Sequence, residues 1–234
     1  MRPTVVLLHA FPLDSRMWAG HREALEAAGY AVVAPDLPGE PEATFAAWAQ
    51  RVLRLVEGDF IPVGASMGGY LIFELWRQAP DRIRALVLAD TRAAPEAPEA
   101  RTAREETIRL AGDEGVAAVW ALMQGRLLAP GAAPEVVGRA REIALGQPVS
   151  GIVATLEAIR DRADSRPTLP TIDVPALVVV GEEDVLTPPT AAEEMAAAIP
   201  GARLVVIPGC GHLPPLEKPG DFRAALLAFL AEAA

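Results

Sequence analysis

Short continuous apolar runs alternate along this chain with segments whose apolar residues recur every three or four positions. The runs at 4–8, 31–34, 60–63, 83–89, 176–180 and 203–207 read as strands, the first of them, bounded by Pro3 and His9, as one buried on both faces. Between them the helical period predicts helices over 15–28, 43–57, 67–78, 189–198 and 219–231. In the second of these, Phe45, Trp48, Val52, Leu55 and Val56 are the apolar positions at helical spacing. Asp14 or Ser15 is placed to cap the first helix, and Gly29 and Gly58 to end the first two. Strands that alternate with helices in this way build a parallel, doubly wound α/β sheet with right-handed crossovers, here of six strands. The rhythm fails once. Residues 93–168 contain only helical pattern divided by Gly and Pro, which predicts four helices, at about 98–111, 114–127, 134–145 and 149–162. The expected organisation is therefore a core of residues 1–92 and 169–234 with a helical insertion at 93–168. Ligands of such sheets bind at the carboxyl ends of the strands, so an insertion leaving that edge is placed to act as a lid.

The third strand runs directly into Gly64-Ala65-Ser66-Met67-Gly68, and a helical pattern begins at once. A serine at the apex of so tight a turn needs neighbours almost free of side chain two positions away on either side. The turn lifts the hydroxyl clear of the sheet and sets it at a helix N-terminus, where negative charge is favoured. These are the requirements of a serine nucleophile. Its base must be a histidine, and the chain has three. His212 follows the last strand on the correct edge, in Gly209-Cys210-Gly211-His212. His9 ends the first strand and is read as a structural hydrogen-bonding residue. His21 falls within the first helix and is read as a surface residue. Asp184, just after the fifth strand, is the favoured partner of the imidazole, with Asp90 at the end of the fourth strand as its competitor. Glu182 and Glu183 are expected to be solvated. The backbone N–H of Met67, next to the serine, and that of Phe11, in the loop after the first strand, are the candidate oxyanion donors.

Composition narrows the partners. The 234 residues suit one α/β domain with a modest insertion. A net charge of −10 argues against nucleic acid or an anionic membrane surface. The single cysteine, Cys210, suits a reducing compartment, and the absence of asparagine leaves no glycosylation sequon. The apolar run after Arg2 is too short for a leader and is interrupted by His9. A soluble, cytoplasmic protein is expected, either a monomer or a homodimer. The histidines and the lone cysteine offer no metal-ligand spacing, and no dinucleotide Gly-x-Gly-x-x-Gly follows a strand, so neither metal nor cofactor is inferred.

Taken together, His9 to Asp14, the turn at Ser66, Leu88-Ala89-Asp90-Thr91-Arg92, Asp184 and His212 resemble the α/β-hydrolase superfamily. The similarity is to its compact bacterial branch of small carboxylesterases and 3-oxoadipate enol-lactonase-like enzymes. The resemblance spans nearly the whole chain. It implies that Ser66, Asp184 and His212 form a triad with Phe11 and Met67 as oxyanion donors. Three departures are visible. Ala10 stands where the family usually has glycine, the loop of residues 36–41 lacks the usual Gly-x-Gly continuation, and the chain begins at the central strand without the family's N-terminal hairpin. A serine at position 66 argues against the dehalogenase and epoxide hydrolase branches, which use a carboxylate there.

The expected substrate is a small, mainly uncharged carboxylic ester. Trp120, Met123 and Leu127 share one face of a helix in the insertion and, with Phe11 and Leu213, are candidate pocket walls. Arg92 and Arg126 are the cations that a carboxylate-bearing lactone would call for, but no pattern aims them inward. Lactone opening, C–C hydrolysis, perhydrolysis or acyl transfer on the same triad is the alternative. A non-catalytic ligand receptor on the same scaffold is a second alternative, of a different class.

Overall fold

The computed structural model of the protein describes residues 2–37 and 44–233. The loop feature expected at 38–41 and the first residue of the helix expected from 43 lie outside these. Among the described residues, strands β1 (Thr4–Leu8), β2 (Val32–Val33), β3 (Phe60–Ala65), β4 (Leu86–Ala89), β5 (Ala176–Gly181) and β6 (Arg203–Ile207) form one sheet. Its order is β2-β1-β3-β4-β5-β6, and every neighbouring pair is parallel. The helices are α1 (Ala19–Ala27), α2 (Phe45–Leu55), α3 (Met67–Gln78), α4 (Pro98–Glu114), α5 (Val116–Leu127), α6 (Pro134–Leu145), α7 (Val149–Asp161), α8 (Pro189–Ala198), α9 (Pro214–Glu217) and α10 (Pro219–Ala233).

Strand side chains alternate between two apolar layers, as a pleat requires. Val6, Leu8, Val178 and Val180 pack with residues of α2, α3 and α8. Val5, Leu7, Leu177 and Val179 pack with residues of α1 and α10 on the other face. The sheet is thus covered on both sides, which explains why its central strands read as unbroken apolar runs. Helices α4 to α7 lie between β4 and β5 in the chain, where the strand rhythm fails. No helix among the described residues is long and apolar enough to cross a membrane.

Several boundaries differ from expectation for identifiable reasons. Helix α2 stops at Leu55, so Leu55 is half exposed and Val56 leaves in extended conformation. The guanidinium of Arg82 accounts for the stop, since it donates to the carbonyls of Leu53, Val56 and Gly58 and so caps the helix end. Strand β4 begins only at Leu86, because a tight turn at Pro80–Arg82 leaves Ile83 with a single bridge to Phe60. His21 is buried, not a surface residue. It meets Trp18 and Phe222 edge-on, at centroid distances of 5.8 and 5.2 Å, and its Nε2 lies 2.8 Å from the Pro215 carbonyl. The packing of α10 against α1 turns that face of α1 inward.

Candidate active site

The apex of the turn between β3 and α3 is Ser66, which holds φ 51°, a region that side-chain-bearing residues rarely occupy. Strain of this kind persists only where the surroundings over-determine it. Here the Ser66 amide donates to Ala89 at 2.8 Å, while its carbonyl accepts from Gly69 at 2.9 Å and from the Thr91 hydroxyl at 2.8 Å. The two glycines of the motif are required by contact. A Cβ on Gly64 would lie 2.4 Å from the Gly68 backbone, and one on Gly68 would lie 2.2 Å from the Leu8 carbonyl oxygen.

The hydroxyl of Ser66 lies 2.7 Å from His212 Nε2, and His212 Nδ1 lies 2.7 Å from Asp184 Oδ2. All three residues are buried. Asp184 is held on every side. Oδ1 accepts from the amides of Leu186 and Thr187, and Oδ2 accepts from the Thr187 hydroxyl at 2.7 Å as well as facing the imidazole. Burial alone would raise its carboxyl, but the bonds to His212 and Thr187 outweigh it and hold the group below the usual carboxylate range. Asp184 rather than Asp90 is the carboxylate that engages the imidazole. Asp90 is nonetheless close: one polar atom each of Asp90, Asp184 and His212 fall within 4.8 Å of one another. Its three members are the base and the two candidate acids read at the strand ends of the sequence, although their spacing has no metal-ligand pattern. Both ring nitrogens of His212 are already engaged by Asp184 and Ser66, which leaves neither free for a cation.

Glu217, on a short helix the sequence pattern did not reveal, organises the loop that carries His212. Its carboxylate accepts from the amides on either side of the histidine, Gly211 at 3.2 Å and Leu213 at 3.0 Å, and from Ala129 at 2.8 Å. Glu182 and Glu183 are exposed, as expected.

A cavity of ≈ 240 Å³ opens beside the turn, with Phe11 and Met67 among its walls. Leu13, Leu37, Ile152 and Thr155 also line it, as do Gly146, Gln147 and Pro148 of the α6–α7 turn. None of these four helical-insertion positions from 146 to 152 carries a sequence signal, because the turn reaches the core only through folding. His9 lies in the same wall as a neutral bridge. Its Nε2 accepts from Leu37 N–H at 3.0 Å, so Nδ1 carries the proton toward the Ala10 carbonyl at 3.1 Å. Trp120, Leu127 and Leu213 are buried in the apolar layer and Met123 packs against it; none of the four lines this cavity. Arg126 is exposed. Arg92 pairs with Glu96 at 2.8 Å and borders a separate cavity of ≈ 500 Å³ between α3 and α7. Neither cavity is lined by Ser66, Asp184 or His212 themselves, but the smaller one is walled by Met67, next to the serine, and by Phe11 of the loop after β1.

The alpha/beta hydrolase family model matches residues 5–225. The pimeloyl-[acyl-carrier protein] methyl ester esterase of Aromatoleum aromaticum is 30% identical, covering 94% of this chain and 95% of that protein. Among solved structures, a thermophilic esterase from Thermogutta terrifontis with malate bound superposes with TM-score 0.91 at 36% identity, covering 99% of this chain and 92% of that one. The enol-lactonase from Burkholderia xenovorans superposes with TM-score 0.89 at 28% identity, with coverages of 99% and 92%.

Proposed function

The chain belongs to the alpha/beta hydrolase family, and from that premise we propose that this ester hydrolase cleaves a small, mainly uncharged carboxylic ester through a covalent acyl-enzyme on Ser66. The observation that carries the reading is the unbroken chain Ser66 Oγ, His212, Asp184, with 2.7 Å at each link. Asp184 accepts from Nδ1–H and so leaves Nε2 free to accept the serine proton. Ser66 Oγ attacks the ester carbonyl as His212 takes that proton. The N–H groups of Met67 and Phe11 receive the developing oxyanion. His212 then returns the proton to the leaving alcohol, and water, activated by the same imidazole, releases the acid.

The cavity supports the substrate class. Its walls include apolar Phe11, Leu13, Leu37, Met67 and Ile152, and its charged members, Asp14 and Asp36, are both acidic. Asp14 is paired with Arg16 at 2.7 Å, and no Lys or Arg is among the described lining residues, so nothing in the lining calls for an anionic acyl group. Residues 93–168 act as the lid in this reading, since α7 and the α6–α7 turn form one side of the cavity. A second reading is the methyl ester of a longer acyl chain, favoured by the similarity of nearly the whole chain to pimeloyl-[acyl-carrier protein] methyl ester esterases. Lactone opening is a third, favoured by the likeness to the enol-lactonase.

Turnover of short-chain p-nitrophenyl esters is the primary test. The Ser66→Ala variant is expected to lose on the order of ten-thousandfold or more in kcat, and a fluorophosphonate is expected to label Ser66. Absence of both hydrolysis and labelling sinks the reading. A panel of methyl esters of increasing chain length, run beside simple lactones, separates the three substrate classes by kcat/KM.

A further inference from the structure

Asp90 ends β4 with its backbone at φ 45° and only 1% of its surface exposed. Left-handed backbone at a buried residue other than glycine marks a position held by its surroundings. Asp90 is held from both ends. Its amide donates to Val179 at 2.9 Å, and its Oδ1 accepts from the amide of Gly181 at 2.8 Å. That side-chain bond continues the β4–β5 ladder past its last backbone pair, three residues before Asp184. The other oxygen, Oδ2, is buried and has no hydrogen-bond partner among the described residues. One oxygen of the Asp90 carboxyl falls within 4.8 Å of a polar atom of Asp184 and of His212, and Asp184 is the side chain that Asp90 meets there.

A carboxylate would be poorly served there. It would have one N–H donor, and the charged groups acting on it are Asp184 and Glu217, both acidic. The other titratable neighbours, His212 and the raised, un-ionised thiol of Cys210, bring no fixed positive charge. A carboxylic acid fits the same space: protonation turns the orphaned oxygen into an O–H donor facing an acidic neighbour. We propose that Asp90 is a positioning residue that acts on His212 through Asp184, standing un-ionised with one oxygen anchoring Gly181 and its O–H dipole turned toward the Asp184 carboxylate. The proposal rests on the triad reading above. Burial first, then the charge of Asp184, push the Asp90 carboxyl well above the usual range, in agreement with the geometry.

The consequence is a tuned acid. A positive dipole end toward Asp184 tempers the negative charge that the imidazole faces. Ionised, Asp90 would add a second negative charge at the same place and do the opposite.

Three measurements test this. In the infrared difference between wild type and Asp90→Asn at neutral pH, a carboxylic-acid C=O band is expected to belong to Asp90; its absence overturns the proposal. Asp90→Asn keeps a neutral donor and an acceptor for Gly181, and kcat/KM is expected to stay within about threefold of wild type, whereas Asp90→Ala falls about tenfold or more. The acid limb of the kcat/KM profile is expected to move up by about 0.5 pH unit in Asp90→Ala and to stay in place in Asp90→Asn. A tenfold loss in the Asn variant, or coincident limbs for Ala and wild type, overturns the proposal. Should Asp90→Ala not fold, the infrared band and the Asn variant decide the matter. Ser66→Ala separates the premise: if it keeps esterase activity the triad reading fails, and if it is dead while the Asp90 tests fail, only this inference falls.

Discussion

At the scale of single residues, the site turns on how differently two buried aspartates are treated. Asp184 receives two amides and a hydroxyl as well as the imidazole, whereas Asp90 receives one amide. Donors stabilise the charged form and burial without donors stabilises the neutral one. Replacing Asp184 by Asn keeps the shape but presents N–H or a weaker acceptor to Nδ1. Its kcat is expected to drop about ten-thousandfold with KM little changed, measured by steady-state ester hydrolysis. A loss of less than about tenfold would move the role of acid to another group. Gly68 is equally unforgiving. With the Leu8 carbonyl 2.2 Å from the position of an added Cβ, Gly68→Ala is expected to lower the unfolding midpoint and to lose more than about 1–3 kcal/mol, read from chemical denaturation.

At the scale of elements, the short helix α9 joins the histidine loop to the helical insertion. The Glu217 carboxylate holds Gly211 and Leu213 on the loop and Ala129 just beyond α5. Removing it leaves three amides without their acceptor, at ~1–3 kcal/mol for each that stays buried. Glu217→Ala is therefore expected to lower both kcat and thermal stability. Glu217→Gln, which retains one acceptor oxygen, should fall between the variant and wild type. If Glu217→Ala leaves kcat unchanged, the carboxylate supports the fold without ordering His212. The turn between α6 and α7 also couples layers: Gln147 Nε2 donates to Asp14 at 2.6 Å, tying the insertion to the loop that carries Phe11.

At the scale of the whole molecule, two buried histidines link stability to acid. Burial lowers both His9 and His21 from the ordinary value of 6.5, against the raising effect of their backbone partners. Near and below that value the unfolded chain binds more protons than the folded one. Their contribution to stability is therefore fully present above about pH 6.5 and is lost as pH falls toward the depressed folded values. Between pH 7 and pH 5 the melting temperature of His21→Gln, which cannot take up the proton, is expected to gain on that of wild type. Parallel slopes for the two proteins would show that His21 contributes nothing to the acid sensitivity.

What could be read along the chain was local. Apolar runs mark strands of a sheet covered on both faces, and the glycines at 64 and 68 mark the turn at Ser66, because each depends on residues within a few positions of one another. The four helices between β4 and β5 leave the same kind of local trace, a stretch where one period replaces another. What only tertiary structure decided involves partners far apart in sequence. His212 and Ser66 are separated by 146 positions, and it is Asp184, not Asp90, whose carboxylate lies against the imidazole. The burial of His21 depends on α10, nearly two hundred residues later, and the role of Glu217 depends on amides from two separate segments. The cavity beside the turn is walled by Phe11 together with Gln147, Pro148, Ile152 and Thr155, while Trp120, Leu127 and Leu213 lie in the apolar layer. An apolar stripe states that a helix face is buried. Which surface covers it is determined by packing, and that is why the turn at Ser66 could be read along the chain while the cavity beside it could not.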